Sequence, residues 1–249
     1  EDQPVPFAGM AHVGLAGVFY EWNDLTGAAA HALEGVRLSK LGGFVVYQVF
    51  GYAILAKIYE ANGDNERANE MLQRAEWLGQ ESEYDLVMAL VAESRVRMWK
   101  KQKDNQAAND WAKAHFAVSI EDLDSAEEIT QITVARVFAG EGKFKEALRL
   151  LDRLIAPAEA ARRMENVLKI LALQAVIYKS LRQLDKAISV LDHALSFAEP
   201  EGYARVFTDY GEPMVHLLRS ALKQGVYPNT IARLLEQSEK SAEASQALI

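Results

Sequence analysis

"LAKIYEANGDNERANEML", residues 55–72, is the stretch that decides the fold. An apolar run ends at a short polar turn, Gly63-Asp64, and a second helical pattern follows. Two helices folded back on each other across a tight turn satisfy that pattern. The arrangement returns in "LAGVFYEWNDLTGAAAHAL" from Leu15, "RVRMWKKQKDNQAANDWA" from Arg95, "VARVFAGEGKFKEALRLL" from Val134 and "QAVIYKSLRQLDKAISVL" from Gln174. Two columns run through all five: an aromatic (Phe19, Tyr59, Trp99, Phe138, Tyr178) and, nine residues on, an alanine (Ala28, Ala68, Ala108, Ala147, Ala187). Both step by 40, 40, 39 and 40 residues.

Constant spacing of this kind is the mark of a repeat architecture. The alanine is small because two helix backbones approach there, and the aromatic is expected to fill the gap between them, burying about 150–250 Å². Truncating so buried a ring would cost about 3–5 kcal/mol, so Tyr59→Ala or Phe138→Ala is expected to fold poorly. The turns are read at Asn23-Asp24, Gly63-Asp64, Lys103-Asp104, Gly142-Lys143 and Gln183-Leu184-Asp185. The third repeat is the weakest, with Arg95 and Lys103 at positions otherwise apolar or glycine. The fold class is therefore all-α, a superhelix of about five helix hairpins with a concave groove and C-terminal capping helices. The repeats occupy residues 1–200, the cap 201–236 and a tail or linker 237–249.

The repeat pattern stops at "FAEPEGYARVFTDYGEPM", residues 197–214. Pro200 is expected to end the preceding helix, Gly202 to make the turn and Pro213 to open the next helix. Met214, Leu217, Leu218, Ala221 and Leu222 then form one apolar stripe, and a last helix is expected from Pro228 through Leu235. A cap covering the final apolar face is the structural reading; Tyr203, Arg205, Asp209 and Tyr210 are candidates for contact with a neighbouring domain.

The chain has 249 residues, 50% of them hydrophobic, a formal charge of −8 and no cysteine. Thiolate chemistry, cysteine-ligated zinc and disulfides are thereby excluded. An acidic chain is a poor nonspecific ligand for phosphate backbones, so no direct nucleic-acid binding is expected. "LGGFVVYQVFGYAILA", residues 41–56, falls short of the roughly 20 residues that span a bilayer and is read as a buried helix. Neither a membrane span nor a signal peptide is expected, and the chain is read as cytoplasmic. Nothing pairs a nucleophile with a base, so no enzymatic activity is expected. The five histidines, His12, His31, His115, His193 and His216, lack ligand spacing, so no metal site is expected. The acids at Asp122, Asp124, Glu127 and Glu128 mark a turn and a helix start.

The hairpin pattern resembles the tetratricopeptide repeat, whose usual period is about 34 residues. More specifically, "AGMAHVGLAGVFYEWNDLTGAAAHALEGVRLSK" (8–40) and "SFAEPEGYARVFTDYGEPMVHLLR" (196–219) resemble the helical-repeat region of large ATP-dependent LuxR-type transcriptional activators. The resemblance implies a sensor region that binds a small inducer or a regulatory protein. It also implies an ATPase module before it and a helix-turn-helix module after it, neither of which has its motif in this sequence. A start at Glu1 rather than Met fits a piece of a longer protein. On that reading ATP belongs to the absent module, and this stretch holds no cofactor. A stand-alone adaptor gripping peptide segments of partner proteins is the alternative.

Repeat geometry nominates groove-facing residues around the aromatic column: Tyr20, Lys57, Arg97, Lys100, Arg136 and Lys179. Lys57, Arg97 and Arg136 would form a ladder able to hold a carboxylate, phosphate or acidic segment. Ion pairing with Glu60 and Glu93 is the competing reading, and Arg97→Ala separates the two: a ligand role predicts intact folding and a lost response. Trp99 is expected in the core; Trp22 lies by a turn. A homodimer through an uncapped end is the oligomeric expectation.

Overall fold

The computed structural model describes residues 5–80, 84–117 and 123–246, with side chains described as far as residue 240. Among these every regular element is a helix. In chain order they are α1 (Ala8–Glu21), α2 (Leu25–Leu41), α3 (Val45–Ala61), α4 (Asn65–Gly79), α5 (Asp85–Lys101), α6 (Asn105–His115), α7 (Ser125–Gly140), α8 (Phe144–Ala160), α9 (Met164–Ser180), α10 (Leu184–Glu201), α11 (Arg205–Thr208), α12 (Glu212–Lys223) and α13 (Pro228–Gln246). They divide into two compact units, one of residues 1–98 with 243–249 and one of residues 99–242.

The period has a simple origin. α2, α3, α8 and α9 are each 17 residues long and are joined to the next helix by three-residue turns, so two helices and two turns make one repeat. Every turn within a repeat is built the same way. A residue in the left-handed region (Asn23, Gly63, Lys103, Gly142, Arg182) follows the helix end. The next N–H then reaches back five residues to the carbonyl of the aromatic column, as from Asp24 to Phe19 (2.9 Å), Asp104 to Trp99 (2.8 Å) and Gln183 to Tyr178 (2.9 Å). This closure satisfies carbonyls that a helix end would otherwise leave open. In the first three repeats the same residue, Asp24, Asp64 or Asp104, also caps the following helix by accepting a backbone N–H.

The two columns play different parts. All five alanines are fully buried. The five aromatics are only half-buried, which corrects the expectation that they fill the core. Their place in the last turn of the first helix puts the ring beside the turn, where cations lie over it: Arg67 over Tyr59 (4.9 Å) and Lys186 over Tyr178 (5.7 Å). The deep position is one residue earlier, at Ile58, Met98, Val137 and Ile177, each at most 3% exposed. Trp99 is likewise half-buried and not a core residue.

In the first unit the core runs from Ala16 and Ala32 through Val49, Tyr52 and Leu55 to Leu72, Val91 and Met98. The apolar stretch 41–56, expected to form one buried helix, is instead broken, because Gly42 and Gly43 end α2 and α3 starts at Val45. No helix among the described residues is long and apolar enough to cross a membrane.

In the second unit α7 packs on α8 and α9, and α9 on α10. α10 runs through Pro200 to Glu201 instead of stopping before the proline, and Gly202 takes the left-handed position (φ 75°) that ends it. Phe207 of α11 is fully buried, and α12 buries Met214, Val215, Leu217, Leu218 and Ala221, with its proline in the first turn. α13 passes the expected end at Leu235 and continues to Gln246.

Candidate functional site

The nominated groove residues fall into three kinds of surroundings. Tyr20 is core: it is 4% exposed and packs with Ala28 and Ile58. Lys57 and Arg97 are paired. The Lys57 ammonium lies 3.8 Å from Glu93, and the Arg97 guanidinium 3.1 Å from Glu60. α3 thus supplies one cation and one carboxylate, α5 the reverse, and none of the four side chains is more than 14% exposed. An anion reaching either cation would have to displace a carboxylate held in a water-poor setting.

Lys100 bonds to Asn105 (2.7 Å) and Glu141 (3.3 Å). The carboxyl of Glu141 is held below its ordinary range, first by a hydrogen bond from Asn109 and then by Lys100. Lys179 sits half-buried in the last turn of α9.

Arg136 differs from the other cations. Its guanidinium lies over the ring of Tyr210, 5.2 Å from the centroid, with Nη2 3.4 Å from the phenol oxygen. A groove candidate and a junction candidate, 74 residues apart in sequence, are therefore one contact. Around it the short α11 is pinned from inside: Arg205, 4% exposed, pairs with Asp209 one turn on. Tyr203 is half-buried at the entry to the same segment. Gly211 (φ 59°) ends it, in a conformation that disfavours any side chain.

Two further clusters escaped the sequence reading. Glu128 is fully buried and not merely a charge at a helix start. It is held by both arms of Arg163 and by Asn166 Nδ2 (2.8 Å). That bonding raises the Arg163 guanidinium above its ordinary value. Asp124 does begin α7, forming a reciprocal cap with Glu127; Asp122 lies outside the described residues. The second cluster joins His12 and His31, whose Nδ1 atoms are 2.9 Å apart, with the Phe19 ring stacked on His31 (centroids 5.1 Å). Helix pairing brought these histidines together across 19 residues, a separation that carries no ligand signature. Among the described residues no group of three or more His, Asp or Glu is placed to hold a metal ion.

Comparison with known proteins gives these contacts a setting. The chain is 28% identical over 216 residues to the HTH-type transcriptional regulator MalT of Yersinia enterocolitica, an alignment covering 85% of this chain and 23% of that protein. The regulators of the same name from Serratia proteamaculans (28% over 213 residues) and Yersinia pestis (29% over 213 residues) match over the same shares. The chain thus spans about a quarter of the length of the curated relatives it matches (23%). The family described as the MalT-like TPR region matches residues 1–224, nearly the whole chain. With the forty-residue hairpin period and its helices in place, the chain belongs to the MalT-like TPR region family.

Proposed function

We propose that this chain is the regulatory region of a transcription regulator. In this reading its repeats receive a small inducer or a regulatory protein, and its C-terminal helices pass the result to the rest of the polypeptide. The observation that carries the reading is the contact between Arg136 on α7 and Tyr210 after α11. It ties a repeat helix to the segment at which the repeat pattern stops. An effector that engages Arg136 competes with the Tyr210 ring for the same guanidinium, and so changes the hold on α11 and α12. An equilibrium of this kind responds only to a ligand that binds its two arrangements unequally.

The family and the names of the relatives, HTH-type transcriptional regulators, support the regulatory role. The reading assigns no reaction and no cofactor to these residues; ATP would serve a separate module of a longer polypeptide. Lys57 and Arg97, matched by their own carboxylates, belong to the scaffold on this reading. A thermal-shift screen of sugars, organic acids and nucleotides tests it, run in parallel on the wild-type chain and on Arg136→Ala. A compound that raises the wild-type Tm but not that of a folded Arg136→Ala supports the reading. A compound that acts equally on both places the receiving site elsewhere and sinks the role given to Arg136.

A further inference from the structure

Between Lys143 and Lys186 the sequence holds ten lysines and arginines against five acids, in a chain of formal charge −8. Much of that excess gathers at one edge of the second unit, where the first helix of each hairpin turns into the second. Lys103 stands in the turn between α5 and α6, Lys143 and Lys145 at the start of α8, and Arg182 and Lys186 at the start of α10. All five are exposed. The turns are neighbours: Lys100, at the end of α5, bonds to Glu141 in the turn before α8 (3.3 Å), and α7 packs on α9.

Local structure holds these cations at the edge. Lys103 and Arg182 occupy the left-handed position of their turns (φ 63° and 59°). Lys143 takes the place that Asp24, Asp64 and Asp104 hold in the first three repeats. Its ammonium lies over the Phe138 ring (5.8 Å), as that of Lys186 lies over Tyr178 (5.7 Å). Acids of the same edge are engaged within the fold: Asp104 accepts the Ala107 N–H (3.1 Å), and Glu141 is held by Lys100. Glu146 and Asp185 stand exposed among the cations. The repeat itself does not require a basic turn, since the first one, Glu21-Trp22-Asn23-Asp24, has no cation.

We infer that this edge is a docking surface for an extended, acidic segment of a partner protein. Spacing and charge both favour that occupant. Packed helices lie about 8–10 Å apart, so successive turns advance by about that distance. An extended chain advances about 3.3 Å per residue, so a carboxylate at every third residue meets one turn after another. Each exposed pair is weak alone, and binding rests on several turns engaged at once, which makes it sensitive to salt. A nucleic-acid backbone fits less well. Its charge is dense and unbroken, so it would run over Glu146 and Asp185 on a chain of formal charge −8. A peptide can set uncharged residues against those acids. The inference does not depend on the role given to Arg136.

The test is fluorescence anisotropy of a labelled peptide of four Glu-Gly-Ser repeats with the 249-residue chain. At low salt the peptide is expected to bind with a Kd of about 0.1 mM or tighter. The triple variant Lys103→Asn/Lys145→Gln/Arg182→Asn should raise Kd about tenfold or more. Asparagine suits the two left-handed positions, as Asn23 shows in the first turn. Should a melt show the triple variant unfolded, Lys145→Gln alone, on an exposed residue of α8, should weaken binding about threefold. Arg162→Asn, in the exposed turn after α8, is the control and should leave Kd unchanged. A wild-type Kd above roughly 1 mM overturns the inference. So does undiminished binding by the folded triple variant, or equal binding of a peptide of the same composition with its glutamates contiguous. Duplex DNA that binds tighter than the peptide and is lost in the triple variant would give the edge to a polyphosphate instead, and overturns it as well.

Discussion

Arg136 and Tyr210 are 74 residues apart in sequence and 5.2 Å apart from guanidinium carbon to ring centroid. The contact combines a cation over an aromatic face with a hydrogen bond from Nη2 to the phenol oxygen. Both side chains are half-buried, which places the pair between the exposed and desolvated limits of about 0.5 and 2 kcal/mol. Tyr210→Phe keeps the ring and is expected to lose little stability; Tyr210→Ala and Arg136→Ala are expected to lose more. A double-mutant cycle on the last two should give a coupling of about 1 kcal/mol. Faster amide hydrogen exchange confined to α11 and α12 would locate the effect, whereas uniform loosening of the whole unit would contradict it.

Glu128 sets a harder constraint on the same unit. Its carboxylate has no exposed surface and depends on Arg163 and Asn166. Arg163→Ala leaves a buried charge without its partner, for which about 3–5 kcal/mol is the usual cost. The charge-neutral double variant Glu128→Leu/Arg163→Leu should recover much of that loss. Urea unfolding distinguishes the cases: equal destabilisation of single and double variants would mean that packing, not the stranded charge, sets the cost.

The columns of the repeat rank differently in the structure than in the sequence. The alanines are fully buried where helices meet, so Ala147→Leu overpacks the contact and is expected to cost about 1–3 kcal/mol. In a chain of this size that is roughly 2–12 °C in Tm. Phe138→Ala removes a ring that is only half-buried. Its cost should fall below the roughly 3–5 kcal/mol of a core ring. Thermal melts in which Phe138→Ala is the worse of the two would restore the aromatic column to the core.

The fold was legible because its period is covalent arithmetic: helix length plus turn length repeats whatever the surface residues are. Ala28 and Ala187 announce a backbone approach by size alone, and Gly202 announces a helix end by its conformation. The depth of the aromatic column was not legible, because a one-residue change of register exchanges a core position, Ile58, for a boundary position, Tyr59. Lys57 and Arg97 show the same limit. Spacing placed them on consecutive repeats, but their neutralisation by Glu93 and Glu60 depends on how α3 and α5 lie against each other. Arg136 and Tyr210 were each nominated for a different reason, and only folding joined them. For the same reason Arg97→Ala, offered from sequence as a silent change for folding, is now expected to destabilise the chain by removing the little-exposed ion pair with Glu60.

Helix capping gives a stabilising prediction. Asp24, Asp64 and Asp104 cap the second helix of the first three repeats, while Gln183 at the equivalent position of α10 makes no such bond. Gln183→Asp is expected to add the missing acceptor and about 0.5–1 kcal/mol. The measurement is a Tm rise of roughly 1–4 °C. No rise would mean that Asp185, in the first turn, already satisfies this helix start.

Asp152 supplies the pH-dependent prediction. Its carboxyl is pushed above its ordinary range by partial burial, against the lowering effect of the Gln174 amide, which bonds to it at 2.7 Å. An acid raised in the folded state favours folding when protonated and opposes it when charged, so its contribution is lost as pH rises through the folded value. Asp152→Asn mimics the protonated form and keeps an acceptor for Gln174. The variant is expected to be more stable than wild type at pH 7, by a small margin because Asp152 is an exposed residue and solvent screens its charge. The two proteins should converge as pH falls below about 4, the ordinary range for aspartate. Melting curves from pH 4 to 8 decide the matter: a variant less stable than wild type at pH 7 would show that the charged carboxylate strengthens its bond to Gln174 by more than burial weakens it.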